Sequence, residues 1–370
     1  MSGYQGSKDY QHTTMGCTGV LVCNLGSPDA PTPAAVRRYL GEFLWDPRII
    51  EMSRPLWWLI LHGIILRTRP KKSAHAYQTV WTDEGSPLIV ISKRQSEALQ
   101  RRLETHIPGP VKVEMAMRYG NPSISSALQR LQQANVRRIL VLPLYPQYSA
   151  TTTASIFDAV MDELKTWRWL PEMRYVNHYH DDKLYIRALA QSILDHFEQD
   201  GKPQKLIFSF HGMPKRNLLS GDPYFCECHK TARLTAKQLG LADDQWMVTF
   251  QSRFGKLEWL KPYTDKTLEQ LAQDGMKKVA VVCPAFSADC LETLEEIEVE
   301  NRDIFLKAGG ESFGYIPALN DREDHIEALA ELALRHMQGW PELDEAWNIS
   351  HASRAAEECA KHAAAKGAKR

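Results

Sequence analysis

Short apolar runs that end in glycine, proline or a polar cluster recur along the chain, separated by stretches of helical periodicity. In the first half they are 19–28 (GVLVCNLGSP), 111–122 (VKVEMAMRYGNP), 136–149 (VRRILVLPLYPQYS) and 173–182 (MRYVNHYHDD). In the second half they are 205–214 (KLIFSFHGMP), 246–255 (WMVTFQSRFG), 277–289 (KKVAVVCPAFSAD) and 312–321 (SFGYIPALND). Apolar runs of this length read as strands buried on both faces, and their alternation with helical segments predicts parallel sheets covered by helices. The order repeats. The pattern therefore predicts an α/β protein of two similar doubly wound, Rossmann-like domains, each on a four-stranded parallel sheet, with a cleft between them. The expected boundaries are a first domain at 16–179 with an apolar lip at 53–73, a second at 180–322, a helix at 323–337 packing back on the first domain, and a surface tail at 338–370.

In such sheets a ligand sits beyond the carboxyl ends of the strands. Neither G-x-G-x-x-G nor G-x-x-x-x-G-K-[ST] occurs there, so a dinucleotide or a triphosphate is not the expected ligand. His211 directly follows the apolar run Leu206–Phe210, and Gly212 and Pro214 force a turn after it. A lone histidine is as readily structural, but this one falls at the mouth of the predicted cleft. Opposite it, the buried run Val279–Cys283 leads through a turn into a helix, predicted to be capped by Asp289 and carrying Glu292, Glu295, Glu296, Glu298 and Glu300. At helical spacing Leu291, Leu294 and Ile297 share one face, while Asp289, Glu292, Glu296 and Glu300 form a stripe on the other. Like charges four apart cost about 0.2–0.5 kcal/mol per pair, so the stripe is either a solvated face or one that handles cations. One imidazole with several carboxylates makes a weak, exchangeable site for a borderline cation such as Fe²⁺, whereas thiolates would hold the metal too tightly.

Segment 53–73 (SRPLWWLILHGIILRTRPKKS) is apolar in its centre and flanked by arginines and lysines. A bilayer span needs about 20 apolar residues, so this segment is too short to cross. It reads either as a buried helix or as an exposed lip that takes a greasy ligand or touches a membrane surface, and the tandem Trp57 and Trp58 suit the second reading. Basic and acidic residues balance, 45 against 45, which gives no support for nucleic-acid binding. Residues 1–15 lack the apolar core of a signal peptide and read as disordered. The seven cysteines include no C-x-x-C pair, which fits reduced thiols in the cytoplasm. Cys226 and Cys228 are read as buried free thiols rather than metal ligands.

Taken together, NLGSPDAPTPAAVRRYL, MRYGNPS, LPLYPQYSATTTAS, SFHGMP, GDPY, FQSRFGKLEWLKPYTD and AFSADCLETLEEIEVENR, in this order, cover residues from about 18 to 335. The chain resembles the ferrochelatases, the lyases that insert Fe²⁺ into protoporphyrin IX in the last step of haem biosynthesis, in their Gram-negative bacterial form. The resemblance implies a chelatase-like fold and a metal-site pair of His211 and Glu292, with Glu296 and Glu300 continuing an acidic path for the metal. It further implies that Leu25, Arg118, Tyr119, Ser252, Trp259 and Asp289 line the porphyrin pocket. Cys290 stands where many members carry a histidine, so no metal role is carried over to it. The C-terminal end offers only Cys359, so no iron–sulfur cluster is expected; Fe²⁺ is a substrate and no prosthetic group is implied.

Metallating a porphyrin removes two pyrrole protons while a divalent cation is delivered, so the site needs a base and a metal path. His211 can accept a proton or hold the metal, and carboxylates can strip water from Fe²⁺ without trapping it. The expected partners are protoporphyrin IX and Fe²⁺, for a monomer or weak oligomer with peripheral inner-membrane contact through 53–73 on the lip reading. A chelatase for another tetrapyrrole would need a more polar pocket. A non-catalytic porphyrin or haem carrier would have no use for an acidic stripe.

Overall fold

The computed structural model describes residues 3, 4, 6, 12, 13, 15–255 and 257–368. The expectation for residues 1–15 thus falls largely outside the described residues. The eight apolar runs form eight strands: β1 (Cys17–Ser27), β2 (Val111–Gly120), β3 (Val136–Pro143), β4 (Glu172–Tyr175), β5 (Lys205–His211), β6 (Trp246–Gln251), β7 (Lys278–Val282) and β8 (Ser312–Ile316). They make two four-stranded sheets in the orders β2-β1-β3-β4 and β6-β5-β7-β8, with every pairing parallel. The second order is the first shifted by four strands, which is the internal repeat seen in the sequence.

Alternate strand residues serve opposite faces. Val20, Val22, Leu140 and Leu142 of the first sheet and Leu206, Phe208 and Phe210 of the second belong to one apolar cluster, so the halves share a core. On the outer faces, Leu21 and Val141 pack with the helix Ile124–Gln133, and Ile207, Val279 and Val281 with Thr264–Gln273. Each fully buried side chain of this size contributes about 1.5–3 kcal/mol relative to exposure. The helix Glu323–Met337 packs against Pro87–Glu104 and Lys183–Asp200. Its acidic first turn and basic last turn complement the helix dipole, and Arg174 Nη1 donates to His336 O and Gln338 O at 2.8 Å each, satisfying carbonyls at its end.

Two expectations need correction, and one open alternative is decided. The tail is not wholly superficial: Trp340 and Glu342 are buried, and the Glu342 carboxylate accepts from Thr18 Oγ1 at 3.0 Å and Arg138 Nη1 at 2.9 Å. Further along the tail, the helix Ile349–Ala364 has no buried residue. Of the two readings of segment 53–73, the buried helix is the one that fails. Arg54–Ile60, a π-helical turn at Leu61–Ile65 and Leu66–Val80 run on continuously, burying Trp57, Leu61 and Leu66 while Leu56, Trp58, Leu59 and Ile64 are each more than half exposed. Trp57 is held inward by its indole N–H donating to Leu44 O at 2.7 Å. Finally, the acidic helix is wider than an α-helix: after one turn at Leu291–Thr293 it is π-helical over Leu294–Asn301. Its buried face is therefore Thr293, Ile297 and Asn301, four apart, with Leu291 and Leu294 half-buried.

At the carboxyl end of β1 the chain turns at Gly26, where φ is +113° and a Cβ would stand 1.8 Å from Tyr119 O. Gly26→Ala is expected to cost at least about 1–3 kcal/mol, combining backbone strain with a displaced β2. Gly240→Ala, at φ +64° with nothing within 4 Å of the added carbon, supplies the control for strain alone. Urea denaturation midpoints distinguish the two. Equal losses at both positions would contradict the close β1–β2 approach.

Candidate active site in the cleft between the halves

The carboxyl ends of β1, β3, β5 and β7 face a common cleft that opens to solvent. Leu25 and Leu144 follow the strand interiors of the first half, His211 and Ala285 those of the second. Phe43, Ile49, Leu88 and Phe286 make the walls largely apolar, and Glu292 is the carboxylate among the lining residues. This is the position expected for a ligand of open parallel sheets, here formed between two of them.

His211 is half-buried at the last position of β5. Its Nδ1 lies 2.7 Å from Gly212 O. A carbonyl only accepts, so Nδ1 carries the proton in this bond and Nε2 keeps its lone pair when the ring is neutral. The next residue is glycine because the chain passes Trp259 closely: a Cβ on Gly212 would lie 2.5 Å from Gln251 O and 3.2 Å from the indole. Trp259 is buried, donates from Nε1 to Phe254 O at 2.9 Å, and packs on the Phe254 ring with centroids 4.8 Å apart. Leu25, His211, Trp259 and Glu292 thus share one cleft.

Glu296 lies behind Glu292. Its carboxylate accepts from the Ser252 N–H at 2.7 Å and from the Ser252 hydroxyl. Burial pushes the Glu296 carboxyl up, with the Glu292 charge adding to this, while Ser252 and the nearby His211 work the other way. Further out, burial and the neighbouring Glu300 push Glu295 up, and Glu300 itself is exposed. Carboxylates therefore run from the cleft to the surface along a helix whose wide turns keep residues four apart near one another. Such a row of carboxylates suits transient binding of a cation.

Other residues singled out from the sequence stand elsewhere. Arg118 and Tyr119 are not in the cleft lining; they bind Asp46 Oδ2 at 2.5 and 2.8 Å, together with Ser155 Oγ at 2.5 Å. Burial works to raise the Asp46 carboxyl, but hydrogen bonds from Ser155, the Arg48 N–H and Tyr119, with the charge of Arg118, outweigh it and hold it below the usual range. Through this network they brace the wall, since the Tyr119 ring meets the lining Phe43 edge-on at 5.1 Å. Asp289 does not cap the acidic helix, a place taken by Cys290. Its buried carboxylate accepts from Thr293 Oγ1 at 3.0 Å, Ala318 N at 3.2 Å, Asn320 Nδ2 at 2.7 Å and the Tyr315 hydroxyl. With four donors it pins the turn after β7 and lies outside the lining. Ser252, Glu296 and Glu300 also stand behind or beyond the lining.

Sequence reasoning missed Gln251, the last residue of β6. Its Nε2 donates to Glu292 O at 2.7 Å, its Oε1 accepts from Ser209 Oγ at 2.7 Å, and its backbone oxygen accepts from Gly212 N at 2.7 Å. A polar residue closing an apolar strand was the available signal.

The Ferrochelatase family model matches residues 17–337. The curated ferrochelatase of Thioalkalivibrio sulfidiphilus is 57% identical over 366 residues, 99% of each chain. That of Nitrosococcus oceani is 52% identical, also over 99% of each, and ferrochelatase 2 of Shewanella oneidensis is 58% identical over 87% of this chain and 98% of its own. Among solved structures, SirB from Bacillus subtilis with Fe³⁺ aligns with TM-score 0.50 at 13% identity, covering 89% of this chain and 99% of that one, a likeness that bears on the fold alone. Two four-stranded parallel sheets, a shared cleft with His211 and Glu292, and these matches have one common meaning: the chain belongs to the ferrochelatase family.

Proposed function

We propose that this chain is a protoporphyrin ferrochelatase that inserts Fe²⁺ into protoporphyrin IX, giving haem b and two protons, with no prosthetic group. The observation that carries this reading is the joint presence of His211 and Glu292 in an apolar cleft that also holds Leu25 and Trp259. A flat, greasy macrocycle suits those walls, and an apolar lining disfavours a more heavily carboxylated tetrapyrrole. His211 Nε2 accepts a pyrrole proton or holds the metal as it enters; Glu292 balances the charge of the arriving cation. Glu296, Glu295 and Glu300 guide the hydrated ion inward and loosen its water. Remote contacts from Trp259 and the opposing wall hold the macrocycle while its nitrogen lone pairs become accessible.

The same reading places the exposed Leu56, Trp58, Leu59 and Ile64, with the exposed Arg67, Arg69, Lys71 and Lys72 beside them, against anionic headgroups at the inner membrane. No helix of the described residues is long and apolar enough to cross a membrane.

His211→Ala is expected to lower the anaerobic rate of iron insertion at least about 100-fold while porphyrin affinity stays within about threefold. Glu292→Gln should lower kcat, whereas Glu300→Gln should raise the KM for Fe²⁺ with kcat little changed. Near-normal insertion by His211→Ala, with porphyrin bound as in the wild type, would return His211 to a structural role. For Glu296 the sign follows from its raised carboxyl. The folded chain keeps a proton that the unfolded chain loses near 4.5, so that contribution to stability is complete below this value and is lost as pH rises through the raised one. Relative to wild type, Glu296→Gln should gain stability in urea at pH 8 over pH 5; a difference independent of pH would contradict the burial argument. In sedimentation with anionic vesicles, paired Trp58→Ser and Leu59→Ser changes should lower the bound fraction, and unchanged binding would remove the lip from membrane contact.

A further inference from the structure

His178-Tyr179-His180 follows β4, and Glu227 lies on the helix Tyr224–Gln238 of the other half. In extended chain residues two apart face the same side, and the two imidazoles stand together with ring centroids 5.0 Å apart. Glu227 lies against both: its Oε2 is 3.3 Å from His180 Nδ1 and its Oε1 is 3.6 Å from His178 Nδ1. One nitrogen from each histidine and one carboxylate oxygen fall within 4.8 Å of one another. Two nitrogen or oxygen ligands about 2.1 Å from a tetrahedral ion stand about 3.4 Å apart, so a small side-chain adjustment would bring these donors onto one ion.

The hydrogen bonding also points to a cation. His180 is 6% exposed, and its buried Nδ1 makes no hydrogen bond despite the carboxylate oxygen beside it. A buried ring nitrogen beside a carboxylate oxygen with no hydrogen bond between them is an arrangement that a shared cation would satisfy. Glu227 is 7% exposed, and the Tyr148 N–H, at 2.7 Å from Oε2, is its hydrogen-bond donor. Nearby Lys230 is paired with Asp181 at 2.5 Å instead. A buried carboxylate without a cation is costly. The cysteines flanking Glu227 are not alternatives, since Cys226 is exposed and Cys228 is buried without a shared direction along the helix.

We propose that His178, His180 and Glu227 form a second metal site, separate from the cleft, for a borderline divalent cation of the Zn²⁺ class. Two imidazoles and a carboxylate select such ions over Mg²⁺ and Ca²⁺, and leave a fourth position to water. The ion joins the segment after β4 to the helix that begins at Tyr224, a cleft-lining residue whose hydroxyl donates to His211 O at 3.1 Å. It thus acts as a clasp between the halves, fixing the wall that carries His211.

The test uses tag-free, chelator-treated full chain carrying His211→Ala, so that the cleft does not compete for the ion, titrated with Zn²⁺ in equilibrium dialysis. One Zn²⁺ per chain is expected, undisturbed by excess Mg²⁺, and Co²⁺ in its place should give the visible absorption of a tetrahedral site. Adding His178→Ala, whose ring is half-exposed and safe for folding, should weaken Zn²⁺ binding at least about tenfold, and Glu227→Gln more. In the same His211→Ala chain, Zn²⁺ should raise the melting temperature, and adding His178→Ala should remove that rise. Absence of Zn²⁺ binding in the His211→Ala chain, or binding unmoved by His178→Ala, would leave only a His–Glu ion pair and overturn the proposal.

Discussion

The arrangement of the cleft depends on the junction of Gln251 and Ser252 at the end of β6. Gln251 reaches Ser209 in β5, the N–H of Gly212 after His211, and the carbonyl of Glu292. Ser252, held at φ 61°, gives its N–H to Glu296. One dipeptide therefore fixes the loop that carries His211 and the helix that carries the carboxylates in a single frame. Each bond contributes on the order of 1 kcal/mol to stability, but their larger effect is positional, since the imidazole and Glu292 sit on separate strands' extensions and would otherwise be free to drift.

Around that frame the chemistry follows from environment. The walls are largely apolar, and a flat ligand held against them would exclude water and strengthen any charge interaction inside. Carboxylates crowded along a wide helical turn hold their protons more firmly where they are buried, as at Glu295 and Glu296. The row grades outward to Glu300 at the surface. Arg118, Tyr119 and Asp289 contribute by bracing: the first two through Asp46 behind Phe43, the third by anchoring the turn between β7 and the acidic helix.

The central strands β1, β5 and β7 were legible because a strand buried on both faces is apolar along nearly its whole length, whereas β4, Glu-Met-Arg-Tyr, was legible from its place in the repeat. His211 and Glu292 were legible because strand ends and helix starts place them at a cleft mouth. Three things were hidden for physical reasons. A π-helix differs from an α-helix by hydrogen-bond register, which leaves little trace in apolar spacing, so Thr293, Ile297 and Asn301 rather than Leu291 and Leu294 turned inward. Asp289 carries the residue type of a helix cap, yet its partners Tyr315, Ala318 and Asn320 lie across the sheet in sequence-distant chain. The lip's two faces are both apolar, so periodicity could not tell the buried Trp57 from the exposed Trp58.

The central claim is that the macrocycle lies in this cleft with His211 at its nitrogens. A crystal structure with metal-free protoporphyrin IX bound tests it directly. The account predicts a ring between the Leu25 wall and Trp259, with His211 Nε2 facing the pyrrole nitrogens and Glu292 at the rim of the same space. A ring stacked instead on the exposed Trp58 lip, with the cleft empty, would contradict it.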